Sequence, residues 1–261
     1  MKQYDISKPI GLITPCKEIE STCSKAHMYK RCGLRPKHYI IPLDSGSGRT
    51  TLVEYMTAMY KAAGVLDFIS GPDDYIEITF DGTLQQLKQA FAVIDSAAVY
   101  TNDYCNVISM DIRAIANHLG ELQLSEFLSG CKRVCEYACV VFFVNSIPSR
   151  NEEKLLEKLC ETVDNIKCLE VEPYTRDDMC TLIIKTIEEH GVMIDHKNFF
   201  CSLLAEIVSE FNVTSVKDAV TTGNTLVHFA DFSGFTPLLN ESSLKAMINK
   251  WHSNTKRREL K

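Results

Sequence analysis

The chain has 261 residues, 45% of them hydrophobic, enough to bury a substantial core as one large domain or as a main domain with a smaller appendage. Its formal charge of −6 excludes a protein that coats nucleic acid or an anionic membrane through its overall field. No charged-then-apolar leader opens the sequence, and the longest apolar run, Ala138–Val144, is far too short to cross a bilayer, so a soluble cytoplasmic protein without membrane contact is expected.

Apolar periodicity alternates short strands with longer helices, the pattern of a parallel sheet with crossover helices. Residues 14–32 read as a two-faced helix, followed by a strand at 38–43. Between that strand and the helical run Leu52–Tyr60 stands Asp44-Ser-Gly-Ser-Gly-Arg-Thr-Thr51. Such a strand, glycine loop and helix can cradle phosphate. Gly46 and Gly48 let backbone N–H groups turn inward, the helix start adds the positive end of its dipole, and the Thr50 hydroxyl suits Mg2+. Against the pattern G-x-x-x-x-G-K-[ST], Leu43 replaces the first glycine and Arg49 the lysine. An ordinary strand-to-helix turn rich in Gly and Ser is the alternative reading.

Further along, Tyr75–Phe80 alternates as a strand and ends at the turn Asp81-Gly82, and helical periodicity runs from Leu84 to about Ala98. Val107–Asp111 is a short buried strand, and residues 113–137 are helical, with breaks expected near Gly120 and Gly130. Val140–Val144 is the most apolar strand, which places it in the middle of the sheet. A helix follows from Asn151, then a fifth strand at Cys168–Val171, closed by Pro173. After it the strands stop. Residues 175–190, 197–211, 214–230 and 241–252 all read as helices, the first capped by Thr175 with Asp177 and Asp178 in its first turn.

The eleven cysteines read as free thiols. Cys131, Cys135 and Cys139 recur every fourth residue, as an apolar stripe on one helix face. Cys16, Cys23, His27 and Cys32 match no common zinc spacing, and no C-x-x-C pair occurs.

This order of elements resembles the AAA+ ATPase family of P-loop NTPases, over about residues 8–252. The resemblance implies an α/β domain at 1–173, with a five-stranded parallel P-loop sheet flanked by helices, and a small all-helical lid subdomain at 174–261. It implies ATP and Mg2+ as cofactors. Asp44, Ser45, Gly46, Ser47, Gly48, Arg49, Thr50 and Thr51 would surround the phosphates, and Thr50 and Asp111 would hold the metal. Asn145 stands at the sensor 1 position that reaches the terminal phosphate, and Lys217 at the sensor 2 position of the lid. Each has a plainer alternative: Asp111 as a helix cap, Asn145 as a polar residue leaving a strand, and Lys217 as a solvated lysine.

Three parts that make the family's chemistry fast are altered. Arg49 stands for the lysine, Ile112 for the glutamate that polarises water, and no arginine lies between Asn151 and Cys168, where a neighbour's nucleotide would be contacted. Arg150 is the nearest substitute, and Glu121 and Glu126 are the acids of the next helix. Phosphoryl transfer rests on positioning and electrostatics, so these losses imply slow hydrolysis or none. The reading is therefore an ATP-binding switch or scaffold. An active ATPase using Arg49, and a nucleotide-free interaction or DNA accessory module, stand as alternatives. A homo-oligomer and an undefined protein client accompany the first reading. DNA contact would fall to the basic clusters Lys30-Arg31, Arg35–His38 and Lys256–Arg258.

Overall fold

The computed structural model describes residues 7–66, 75–78, the isolated positions 85, 88 and 92, residues 106–118, 121–195, 197–232 and, with single-residue gaps, 234–249. The chain divides into two compact units, Met1–Glu172 and Pro173–Lys261.

The first unit is built on a five-stranded sheet in the order β2-β3-β4-β1-β5. Its strands are β1 (His38–Pro42), β2 (Tyr75–Ile78), β3 (Asn106–Asp111), β4 (Ala138–Val144) and β5 (Ile166–Cys168). Every pairing is parallel. All seven residues of β4 are buried, as a strand covered on both faces and paired on both edges requires. The central position expected for this strand is the observed one. Because β4 lies between β1 and β3, the C-terminal ends of these three strands share one edge of the sheet. Ligands of open α/β sheets bind at such an edge.

Helices α1 (Ile13–Ser24), α2 (Ala26–Cys32), α3 (Arg49–Ala63), α4 (Arg113–His118), α5 (Glu121–Cys135) and α6 (Arg150–Thr162) belong to this unit, and the isolated positions 85, 88 and 92 are also helical. α3 ends where Gly64 adopts φ 65° and donates to Lys61 O at 3.2 Å, a left-handed cap that a Cβ would strain. Apolar side chains of β3, β4, α5 and α6 form one core, with Phe127, Phe142 and Leu159 fully buried. Near α1 a buried polar chain runs from Thr22 Oγ1 to Tyr39 Oη at 3.3 Å and on to Tyr60 Oη at 3.2 Å.

The second unit contains α7 (Arg176–Glu189), β6 (Met193–Ile194), α8 (Lys197–Glu210), α9 (Val216–Val227) and β7 (Leu238–Leu239), with helical residues again at 241–246. Its core is apolar, centred on Ile183, Ile187, Phe200, Leu204 and Leu226. α7 and α9 approach closely at Gly223, where a Cβ would lie 2.8 Å from Thr186 Cβ.

Several expectations need correction. The helix read over 14–32 breaks at Lys25 into α1 and α2. The helical stretch beyond residue 113 divides near Gly120 as expected, but no break occurs at Gly130, which lies inside α5. Cys139 belongs to β4 rather than to the helix of Cys131 and Cys135, so these thiols share a core but not a helix face. The fifth strand starts earlier than its apolar run, because Asn165 turns at φ 60° and sends the chain alongside β1 from Ile166. The second unit is not all-helical: β6 and β7 pair in parallel, fastened by Met193 N–H to Pro237 O and Asp195 N–H to Leu239 O, both at 2.9 Å. Two-residue strands carry too little periodicity to show in sequence. The Asp81-Gly82 turn and most of the helix expected at 84–98 lie outside the described residues.

Candidate nucleotide site

The loop between β1 and α3 starts from a buried strand and ends at an uncapped helix. Gly46 and Gly48 hold φ of 79° and 84°, conformations that favour glycine and bend the loop over the first turn of α3. Gly48 is the N-cap residue, and no side chain caps this helix. The first-turn N–H groups of α3 lack intrahelical acceptors and carry the positive end of its dipole, which suits an anion. Ser45, Gly46, Thr50 and Thr51 are exposed around this turn, while Ser47 donates its N–H to Asp44 O at 3.2 Å.

Asp44 is engaged across the sheet edge. Its carboxylate accepts Ser146 N–H at 3.0 Å and the Ser146 hydroxyl at 2.6 Å, bonds that hold the carboxyl below its usual pKa. Arg49 is folded back beneath the loop. It donates Nε to Leu43 O at 2.5 Å, Nη2 to Val144 O at 3.3 Å and Nη1 to Asp111 Oδ2 at 2.7 Å. Nη2 also reaches Leu43 O, and the guanidinium lies 5.1 Å from the Phe143 ring centroid. Burial lowers its pKa, opposed by the Asp111 charge.

Asp111 therefore does not stand alone at the end of β3. Arg113, two positions on, donates Nε to its Oδ1 at 2.7 Å and Oδ2 at 3.0 Å, donates Nη2 to Oδ2, and gives its backbone N–H to Oδ1 at 3.2 Å. Burial pushes the Asp111 carboxyl up, but the Arg113 bonds and the Arg49 charge bring it below its usual pKa. The same hydrogen bonding raises Arg113. From Arg113 the network continues: Nη1 approaches Asn145 Oδ1 at 3.5 Å, and Asn145 Nδ2 donates to Glu152 Oε1 at 3.0 Å and Oε2 at 3.1 Å. Glu152 is 1% exposed and also accepts Ser149 N–H at 2.8 Å, completing the capping box of α6. Burial raises its carboxyl, and the Ser149 and Asn145 bonds more than reverse that.

Asp44, Arg49, Asp111 and Asn145 thus converge on one sheet edge. Lys217 is exposed on α9 in the second unit. Ile112, next to Asp111, is fully buried. Glu126 is exposed and paired with Lys88 at 2.9 Å, and the Glu121 side chain is outside the described residues. Arg113 and Glu152 escaped the sequence reading. The spacing Ser149-x-x-Glu152 is a capping-box signal that could have found the second, whereas nothing local marks Arg113.

Two guanidinium groups occupy both oxygens of Asp111. At an effective dielectric of ~20, a divalent ion about 4 Å from a guanidinium is repelled by roughly 8 kcal/mol, and beside Asp111 it would face two such groups against the attraction of one carboxylate. This arrangement does not fit Mg2+ at Asp111. It does fit phosphate at the loop, where the glycines and an uncapped helix start supply donors. Among the described residues, no group of three or more His, Cys, Asp or Glu side chains is arranged to hold a metal.

The fold is similar to that of known structures. PCH-2 of C. elegans superposes with a TM-score of 0.60 over 98% of this chain and 73% of that one, at 12% identity. A point variant of Thermotoga maritima RuvB does so with a TM-score of 0.55 over 92% of this chain and 70% of that one, at 13% identity. Both are AAA+ ATPases. The chain has the AAA+ fold. No protein-family model matches the sequence, and no curated protein does. No described helix is long and apolar enough to cross a membrane.

Proposed function

We propose that the chain binds ATP at the loop Asp44–Thr51 and acts as a nucleotide-dependent switch or scaffold that hydrolyses ATP slowly or not at all. The observation that carries this is the convergence of a glycine loop, an uncapped helix start and Arg49 at the edge where Asp111 and Asn145 end their strands. Arg49 links the bound and unbound conditions. Phosphate oxygens and Asp111 are alternative partners for one guanidinium, so nucleotide would release a clasp joining α3 to β3. Slow turnover follows from Ile112. General-base assistance is worth about 10²- to 10⁴-fold in rate, and a buried aliphatic side chain supplies none.

Calorimetric titration with ATP and ADP tests this. The wild type should bind, Arg49→Ala should bind much more weakly, and Lys217→Ala measures whether the second unit contributes. No binding at millimolar ATP would sink the proposal. Turnover above about 1 s⁻¹, within the ordinary enzyme range, would overturn its slow-hydrolysis half.

A further inference from the structure

We infer that Arg113 takes the place of a divalent cation beside Asp111, so that this chain binds the triphosphate of a nucleotide without needing Mg2+. The inference rests on the proposed reading of the loop and concerns which cation serves it. Three observations carry it. Arg113 approaches Asp111 in fork geometry, through Nε, Nη2 and its own backbone N–H, so the carboxylate that would ligate a metal is saturated by a residue two positions away. The second guanidinium, from Arg49, holds Oδ2 at 2.7 Å until phosphate draws it away, and Arg113 then stays on the carboxylate alone. Arg113 also spans from the end of β3 to Asn145, the residue after β4, which is the strand beside β1 and its phosphate loop.

A guanidinium fixed there can do part of what a metal does. It carries permanent positive charge, its fork turned to Asp111 leaves Nη1 on the Asn145 side for a phosphate oxygen, and its position is set by Asp111 rather than by recruitment of an ion. It cannot ligate a phosphate chain and water octahedrally as Mg2+ does. Binding with little hydrolysis is the combination this exchange produces.

The experiment is ATP titration of the wild-type chain in EDTA and in millimolar Mg2+, repeated with Arg113→Ala and Arg113→Lys. The wild-type Kd should agree within about threefold between the two conditions, well under the tenfold step that marks a substantial difference. Arg113→Ala should bind weakly in EDTA and gain about tenfold or more from Mg2+, because Asp111 is then open to the ion. Arg113→Lys should fall between, since an ammonium keeps charge but not the fork. Wild-type binding that strengthens about tenfold with Mg2+ would overturn the inference and leave the nucleotide site standing. No ATP binding in either condition would overturn the site itself and the inference with it. Should Arg113→Ala fail to fold, the wild-type comparison decides alone.

Discussion

The two units spend their polar groups differently. In the first, charged side chains meet across long stretches of chain: Arg49 reaches Asp111 62 positions away, and Ser146 reaches Asp44 across 102. In the second, the caps are local, with Thr175 and Asp178, and Ser215 and Asp218, three positions apart. Its interior is apolar and closes by a helix contact at Gly223. The first unit therefore has ionisable groups inside its structure, and pH should act on it. The second should respond to volume and hardly to pH.

The largest test of that contrast is Glu152→Ala. It removes the acceptor for Ser149 N–H and for both donors of Asn145, and charge-assisted bonds are worth about 1.5–3 kcal/mol each. A loss of about 3 kcal/mol or more is expected, read by denaturant unfolding. Glu152→Gln, which keeps an acceptor, should lose less. Because its folded pKa is lowered, the Glu152 contribution is present above the unfolded value near 4.5 and disappears as pH falls through the folded one.

Next comes His38, 3% exposed on β1, whose Nδ1 accepts Val140 N–H at 3.2 Å. Burial pushes its pKa from 6.5 down to about 4. Below pH 6.5 the unfolded chain takes up a proton that the folded chain refuses, so stability present at neutral pH should fall as the pH drops towards 4. The full effect is about 3 kcal/mol at roughly 1.4 kcal/mol per unit. Hydrogen exchange followed by mass spectrometry at pH 7 and 5 should show loosening confined to the first unit, and His38→Asn should flatten it. Equal loosening of α7–α9 would break the contrast.

Gly223→Ala sharpens it from the other side. The new methyl must displace Thr186, at an overpacking cost of about 1–3 kcal/mol that outweighs the helix-propensity gain of about 1 kcal/mol, and the loss should not vary with pH. The smallest effect belongs to Thr57, whose buried hydroxyl on α3 has no partner among the described residues. Thr57→Val removes that unmet group and should raise unfolding stability by about 1 kcal/mol. A loss would reveal a bond to the hydroxyl.

The sequence by itself determined the strand-helix alternation, the central place of Val140–Val144, and the glycine loop before α3, because periodicity, apolar runs and turn chemistry act between neighbours. It marked Asp44, Arg49, Asp111 and Asn145 as residues at the ends of elements, and the sheet order brings these four to one edge. Only the tertiary structure decided what each is paired with. Arg49 turns from the loop to Asp111, Arg113 closes over the same carboxylate, and Glu152 buries a charge against Asn145. The two-residue strands of the second unit also needed tertiary contact, since one backbone ladder rung per residue leaves no pattern to read. The physical reason is range: a helix or strand is written in residues a few positions apart, whereas an ion pair is settled by side chains that meet only after the sheet has formed.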